Sequence, residues 1–199
     1  PKFKEKSMNT DQNSRCSWCG DDPFYVAYHD LEWGVPVHDD QKMFEMLLLE
    51  TFQAGLSWIT ILKKRERFRV RFKQFDPAQV AQMTDRELEE LLSDKGIIRN
   101  RQKIFAARNN AQTFLRTANE FGSFCSYLWD FVGHMPIVNR WNRSSELPSR
   151  SALSEAISKD MKRRGFQFVG PTVVYAHLQA AGLVNDHLIG CFRHRELSP

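Results

Sequence analysis

The spacing of apolar residues after Asp39 constrains the fold of this chain more than any other feature. Apolar side chains recur three and four positions apart, as at Met43, Phe44 and Leu47, which is the period of an amphipathic α-helix. No convincing pair of strands with alternating polar and apolar residues is found. The sequence therefore predicts an all-α fold.

Capping signals divide this pattern into separate helices. Ser57 is expected to cap the second helix, Asp76 before Pro77 forms an N-cap and first-turn pair, and Thr84 with Glu87 forms a capping box. Further helices are predicted over about 99–119, 123–133, 151–164 and 170–182, with an irregular polar loop at 139–149. This loop is expected to join two halves of the molecule.

Length and composition indicate one ordinary domain. The chain has 199 residues, of which 42% are hydrophobic, so it can bury a real core. Residues 1–15 are polar and lack an apolar period, and we expect a disordered leader there, followed by a single domain over 16–199. There is no run of eighteen apolar residues, which excludes a membrane span, and the basic N-terminus does not resemble a secretory signal.

The segment KDMKRRGFQFVGPTVVYAHLQAAG has the composition of a phosphate-binding turn between two helices. Its glycines permit close approach of the backbone, the second helix offers its positive N-terminus, and the first helix ends on cations. The residues concerned are Lys162, Arg163, Arg164, Gly165, Gly170 and Thr172. A corner between two helices with a solvated basic face is an equally good interpretation of the spacing alone. The net charge of +4 (28 − 24) fits a polyanionic partner but does not require one.

The same segment resembles a known family. FQFVGPTVVYAHLQ is similar to the second half of a helix-hairpin-helix element in DNA repair glycosylases. Five segments in the same order resemble the DNA-3-methyladenine glycosylase I family: RCSWCGDDPFYVAYHDLEWGVPVHDD, LLLETFQAGLSWITILKKRE, SDKGIIRNRQKI, RRGFQFVGPT and GLVNDHLIGC. The resemblance covers nearly everything from Cys16 to Cys191. It implies a helix-hairpin-helix glycosylase fold of two helical lobes.

The resemblance also implies an activity and a location. Members of the family excise 3-methyladenine from alkylated double-stranded DNA and leave an abasic site. We therefore expect a bacterial cytoplasmic enzyme, acting as a monomer with no membrane partner and releasing 3-methyladenine as its product. No lysine is assigned as a Schiff-base nucleophile, so the predicted glycosylase is monofunctional.

One structural zinc ion is expected from the resemblance. The family's ligand positions match Cys16, His29, His187 and Cys191, which would join the two ends of the domain. Two thiolates and two imidazoles complete a tetrahedral shell with no open position, which is typical of structural zinc. Cys19 offers a rival arrangement, because a Cys-x-x-Cys pair is a common zinc chelate. Cys125 is expected to be a buried apolar residue.

Glu50 is the predicted catalytic residue. It follows an apolar run and is costly to bury there unless a cation or an N–H donor faces it. A 3-methylated adenine in DNA carries both, and stacking on an aromatic ring adds about 0.5–2 kcal/mol of cation–π attraction. The family's base-binding positions match Tyr28 and Trp58 beside Glu50, with Tyr25 and Trp33 close by. Aromatic residues at such spacings are otherwise core residues.

The turn after Glu50 is a candidate to fill the gap left by an extracted base. Gln53, Gly55 and Leu56 are assigned to DNA contact there, since they combine a flexible glycine with an apolar wedge. Asp186 lies near the position of an essential aspartate in relatives of the fold, but its neighbour His187 is a predicted metal ligand, so Glu50 is assigned as the main charged group. Two other functions remain open at this point: a non-catalytic helix-hairpin-helix DNA-binding module, and a metal-dependent hydrolase with an open zinc position.

Overall fold

The computed structural model describes residues 14–53 and 55–199, so residues 1–13 of the predicted leader lie outside the described residues. Ser14 and Arg15 contact the rest of the chain. The Ser14 carbonyl accepts a hydrogen bond of 3.0 Å from the backbone N–H of Phe192, and Arg15 binds the carboxylate of Asp30 through two nitrogens.

The described chain is mostly helical, as the periodicity predicts. Its α-helices are α1 Pro23–Leu31, α2 Asp40–Gln53, α3 Trp58–Arg71, α4 Pro77–Ala81, α5 Asp85–Leu91, α6 Arg101–Phe121, α7 Phe124–Asp130, α8 Ala152–Arg164, α9 Pro171–Ala180 and α10 Phe192–Glu196. Short 3-10 turns cover Ser17–Cys19, Lys73–Phe75 and Ser144–Glu146. Within the described ranges, no helix is both long and apolar enough to span a membrane.

Most of the predicted caps are present. Asp76 accepts from the backbone N–H groups of Ala78 and Gln79, and the capping box of Thr84 and Glu87 forms in both directions. Ser57 is the N-cap residue of α3 by backbone conformation, but its side chain makes no cap hydrogen bond. The Ser57 hydroxyl lies 2.8 Å from the Thr60 hydroxyl instead.

Helix α2 is the centre of the fold. Every residue from 43 to 52 is buried, because α3, α6, α7 and α9 all pack around it. Phe44 packs against Phe114 of α6, and Phe52 packs edge-on against Phe68 of α3. A helix surrounded in this way carries the polar side chain of Glu50 into the interior.

One arginine holds the first three helices together. Arg65 of α3 donates to both carboxylate oxygens of Glu32, just after α1, at 2.9 Å, and to Glu45 of α2 at 2.7 Å. Because α1, α2 and α3 carry the predicted base-binding residues, this ion network fixes their relative positions.

The structure corrects the expectation that no strands pair. Ile137–Val138 (β1) and Val184–Asn185 (β2) form a two-stranded parallel ladder. Two residues per strand are too few to produce a readable alternation, so periodicity misses them. The ladder is important for the site, because it ties the predicted loop at 139–149 to the chain just before His187.

Helices α8 and α9 pack against each other across a turn of six residues. Gly165 ends α8 in the left-handed conformation (φ 106°), and Gly170 and Pro171 open α9 as predicted. Asn110 of α6 fixes the turn, since its amide accepts from the backbone N–H of Gln167 and donates to its carbonyl.

Candidate active site and metal centre

A cavity of about 210 Å³ lies where α1, α2, α3 and α9 meet. For scale, a cavity of about 150 Å³ holds one benzene ring. Half of its lining residues are aromatic, and all five residues predicted for the base pocket line it. The lining residues are Trp18, Tyr25, Tyr28, Trp33, Glu50, Gln53, Trp58, Leu147, Ala176 and Gln179.

Glu50 is the only carboxylate among the residues that line this cavity. Its side chain is 3% exposed, and its Oε2 atom has no hydrogen-bond partner among the described residues. Burial raises the pKa of Glu50 to about 8. The indole Nε1 of Trp58 is also buried without a partner in the described chain. An unpaired acceptor and an unpaired donor therefore line the same aromatic cavity.

The aromatic walls support one another. The rings of Tyr28 and Trp58 lie 5.5 Å apart between centroids, and Trp18 packs against Trp33 at 4.9 Å and against Tyr25 at 5.0 Å. Burial raises the pKa of Tyr28 well above its ordinary value, so its hydroxyl keeps its proton at neutral pH. The walls therefore offer flat apolar faces with a neutral phenol.

A groove of about 420 Å³ adjoins the aromatic cavity and shares Gln53, Ala176 and Gln179 with it. Gly55 after α2 and Thr172 at the start of α9 line this groove. Three residues assigned to DNA contact thus come together on one surface. Leu56, at 39% exposed, lies beside them in sequence, and the structure shows it accessible.

The basic residues at the end of α8 differ in their surroundings. Arg164 binds Glu120 at 2.6 Å and Asp160 at 2.7 Å, and its guanidinium lies over the ring of Phe121. Arg163 pairs with Asp160 as well. Lys162 is exposed and has no ion-pair partner among the described residues. The fold therefore holds Arg164 in place, whereas Lys162 is free of ion pairs within the described part of the chain.

The four predicted metal ligands form one buried cluster. Ligand atoms of Cys16, His29, His187 and Cys191 all lie within 4.8 Å of one another. The Sγ of Cys191 is 3.4 Å from His29 Nε2 and 3.5 Å from His187 Nδ1, and Cys16 Sγ is 3.6 Å from His187 Nδ1. Zinc with Zn–S near 2.3 Å and Zn–N near 2.0 Å places tetrahedral ligands about 3.5 Å apart. The donor set and its spacing fit that ion.

Groups around the cluster orient both imidazoles. His29 Nδ1 lies 2.8 Å from Asp30, which Arg15 binds in turn, and His187 Nε2 lies 3.0 Å from the Trp33 carbonyl. Such partners fix the ring nitrogen that faces a metal. Hydrogen bonds from Cys16 and from the two imidazoles lower the pKa of the Cys191 thiol, which favours the thiolate that metals bind.

The remaining cysteines lie outside the cluster. Cys19 donates its S–H to the Cys16 carbonyl at 3.1 Å and is no member of the four-residue group, so the rival Cys-x-x-Cys arrangement receives no support. Cys125 is buried in the core, as expected.

Asp186 is buried away from solvent and does not touch the metal cluster through its carboxylate. It is 1% exposed and accepts four hydrogen bonds of 2.5–2.8 Å. The donors are Asn139, Trp141, Tyr175 and Gln179. Asp30 contacts a ligand imidazole, that of His29, whereas the carboxylate of Asp186 contacts none.

Four lining residues had no prediction from sequence: Trp18, Leu147, Ala176 and Gln179. Trp18 lies between Cys16 and Cys19 in the first quoted motif. The other aromatic residues of that motif were the signal that could have indicated it. Leu147 belongs to the polar loop that β1 and β2 tie to the C-terminal segment. Ala176 and Gln179 are one turn apart on α9 and face the cavity only because α9 packs against α2.

Comparisons with known proteins agree on one family. The family model described as methyladenine glycosylase matches residues 18–194. The chain is 51% identical over 177 residues to DNA-3-methyladenine glycosylase 1 of Escherichia coli (strain K12), covering 89% of this chain and 95% of that protein.

Solved structures give the same result. A crystal structure of 3-methyladenine DNA glycosylase I superposes with a TM-score of 0.87 at 49% identity, covering 90% of this chain and 98% of that one. A variant of 3-methyladenine DNA glycosylase I in complex with 3-methyladenine gives a TM-score of 0.86 at 38% identity, covering 89% and 95%. The chain belongs to the methyladenine glycosylase family.

Proposed function

We propose that this protein is a DNA-3-methyladenine glycosylase. It takes a 3-methyladenine nucleotide out of double-stranded DNA and hydrolyses its N-glycosidic bond, leaving an abasic site and the free base. The single observation that carries the proposal is the unpaired, buried Glu50 carboxyl in an aromatic cavity of nucleobase size. The names of the relatives that match most of the chain support the same substrate.

Charge distinguishes the lesion from a normal base. The methylated purine in DNA is cationic, so it stacks on Trp58 with cation–π attraction and compensates an ionised Glu50. Neutral adenine offers no charge to the buried carboxylate, which would then stay protonated because its pKa is about 8. The cavity therefore selects a cationic base over a neutral one.

The bond to be broken is already weakened by methylation. A positively charged purine leaves with the electron pair of the C1′–N bond and becomes neutral, so the enzyme has no need to protonate it. The remaining barrier is the positive charge that develops on the deoxyribose. Water completes the hydrolysis.

We propose that the protein binds DNA through the surface groove and through the turn between α8 and α9. Gln53, Gly55 and Leu56 would occupy the space left by the extracted base, and Gly165, Gly170 and Thr172 would approach a phosphate through the backbone. Support comes from the shared groove that links Gln53 and Gly55 to Thr172. Lys162, Arg163 and Arg164 add positive charge at the end of α8.

The proposed cofactor is one structural zinc ion held by Cys16, His29, His187 and Cys191. When bound, zinc in a closed shell of four protein ligands supplies folding energy and no reactive water. Its ligands come from both ends of the described domain. We propose that it joins these ends in a single domain, over 16–199, of two helical lobes with a helix-hairpin-helix element. In this proposal the domain acts as a monomer in the bacterial cytoplasm.

Chromatography of the bases released from methylated DNA tests this function. The purified protein is expected to release 3-methyladenine much faster than a buffer blank, in which the methylated base is lost only by slow spontaneous depurination. A protein that binds methylated DNA in a gel-shift assay but releases no base would instead be a non-catalytic DNA-binding module, and the proposal would fail.

A further inference from the structure

The aromatic cavity meets the adjoining surface groove, where we propose that DNA binds, at Gln179. This residue of α9 lines both spaces, together with Gln53 and Ala176. In a nucleotide whose base fills the cavity and whose backbone follows the groove, the glycosidic bond must cross this boundary. Gln179 is therefore placed beside the sugar end of the bound nucleotide, an inference that rests on the proposed function.

The amide of Gln179 has a defined orientation. Its Nε2 donates to Asp186 Oδ2 at 2.7 Å. A carboxylate accepts hydrogen bonds and offers no donor, so the amide must turn its nitrogen toward Asp186 and its oxygen away. The Oε1 atom has no hydrogen-bond partner among residues 14–53 and 55–199, and it is absent from the buried unpaired atoms there, which means that it is accessible.

Asp186 is built to hold this orientation. Tyr175 donates to the same oxygen at 2.5 Å, while Asn139 and Trp141 donate to the other oxygen at 2.7 and 2.8 Å. These donors come from α9 and from the segment after β1, so the carboxylate cannot turn. A buried acid with four hydrogen-bond donors serves here as a fixed anchor for the Gln179 amide.

We infer that Gln179 is a catalytic residue whose amide oxygen binds the attacking water, with Asp186 as its positioning residue. The amide oxygen accepts a hydrogen bond from the water and directs the water's lone pair at C1′ of the deoxyribose. Its partial negative charge also faces the positive charge developing on the sugar.

The reaction balances without another reactant. The C1′–N bond breaks and its electron pair goes to the cationic purine, which leaves as neutral 3-methyladenine. The water oxygen forms the new bond to C1′. Its proton passes to solvent, because an amide oxygen is too weakly basic to keep it.

Gln179→Met tests this role, since methionine has nearly the same shape but presents no acceptor oxygen. The single-turnover rate of 3-methyladenine release is expected to fall about 3- to 10-fold, the loss of one hydrogen bond made in the transition state. The affinity for free 3-methyladenine, measured by tryptophan fluorescence, and the affinity for DNA should stay within about twofold, because neither involves the water. Gln112→Met, on the outer side of α6, is the matched control and should leave the rate unchanged.

Asp186→Asn tests the positioning role. It should lower the rate by a similar factor, and the double variant with Gln179→Met should show no further loss, because both substitutions disturb one interaction. If Asp186→Asn does not fold, Gln179→Met decides alone.

The outcomes separate this inference from the proposed function. A wild-type protein that releases no base overturns the function itself. A wild-type rate in Gln179→Met overturns the inference alone. A fall in affinity for the free base, equal to the fall in rate, also overturns it, because Gln179 would then recognise the base edge.

Discussion

At the residue scale, Glu50 destabilises the folded protein while it serves the proposed function. Because burial raises the pKa of Glu50 to about 8, the folded state keeps this carboxyl protonated at neutral pH, whereas the unfolded chain gains free energy by ionising it. Glu50→Gln should therefore raise the melting temperature while it slows 3-methyladenine release and leaves DNA affinity nearly unchanged. A glutamate with a purely structural role would show the reverse pattern, a lower melting temperature with little change in the rate per folded molecule.

The raised pKa of Glu50 also predicts a pH dependence. The folded protein keeps a proton up to about pH 8 that the unfolded chain releases near 4.5, so this group's contribution to stability is lost as pH rises between those values. For catalysis the ionised form is needed, so kcat/KM should rise with pH until about 8. In Glu50→Gln the rise of kcat/KM with pH should disappear and the loss of stability with rising pH should diminish, measured by initial rates and by thermal unfolding. A wild-type profile flat from pH 6 to 8 would contradict this assignment.

The buried imidazole of His177 gives protein stability the opposite dependence on pH. It is fully buried on α9, neither ring nitrogen has a partner in the described chain, and burial lowers its pKa to about 4. The unfolded chain binds a proton near 6.5, so the protein should lose stability as pH falls from 6.5 to about 4. His177→Leu should reduce this dependence on pH and should raise the free energy of unfolding at pH 7 by about 1 kcal/mol.

Most residues of the site could be predicted from the sequence, because their chemical character is conspicuous there. Glu50 is conspicuous as an acid in an apolar run, and the metal ligands and aromatic walls lie in quoted motifs. Gln179 and Leu147 carry no such mark, because a glutamine on a helix and a leucine in a loop are ordinary residues. Their positions depend on packing between distant segments.

At the scale of elements, the basic end of α8 offers a discriminating pair of variants. Lys162→Gln should weaken DNA binding and reduce the slope of log K against log salt by about 0.9, the value for one phosphate contact. Arg164→Gln should mainly lower the melting temperature, because it leaves Glu120 without its cation, removes one of the two arginines that bind Asp160, and uncovers Phe121. Equal salt slopes for Lys162→Gln and the wild type would remove Lys162 from the interface.

Helix ends were predictable where a side chain caps the backbone locally. Asp76 followed by Pro77 gave such a signal for α4. Asp22 followed by Pro23 begins α1 in the same way, although that helix was not predicted. The β1–β2 ladder had no local signal, because each strand contributes two residues and its partner is 47 positions away along the chain (184 − 137).

At the scale of the whole molecule, the metal cluster joins residues 171 positions apart in sequence, Cys16 and His187. Elemental analysis should find one zinc per chain. Chelation should lower the melting temperature, and activity should fall only as the helical circular dichroism signal falls, since structural zinc is part of the fold. Cys191→Ser should reproduce this loss, whereas Cys125→Ser, at a buried cysteine outside the cluster, should keep the zinc. Activity lost at once on chelation, with the fold intact, would indicate a catalytic metal.

Recognition of a cationic base by Glu50 inside the aromatic cavity is the central step of the proposed function. The most direct test is the single-turnover release of 3-methyladenine from methylated DNA, followed by chromatography for the wild type, Glu50→Gln and Trp58→Ala. We expect rapid release by the wild type and release at least about tenfold slower by each variant, with DNA affinity preserved. Release at the wild-type rate by Glu50→Gln would contradict the account.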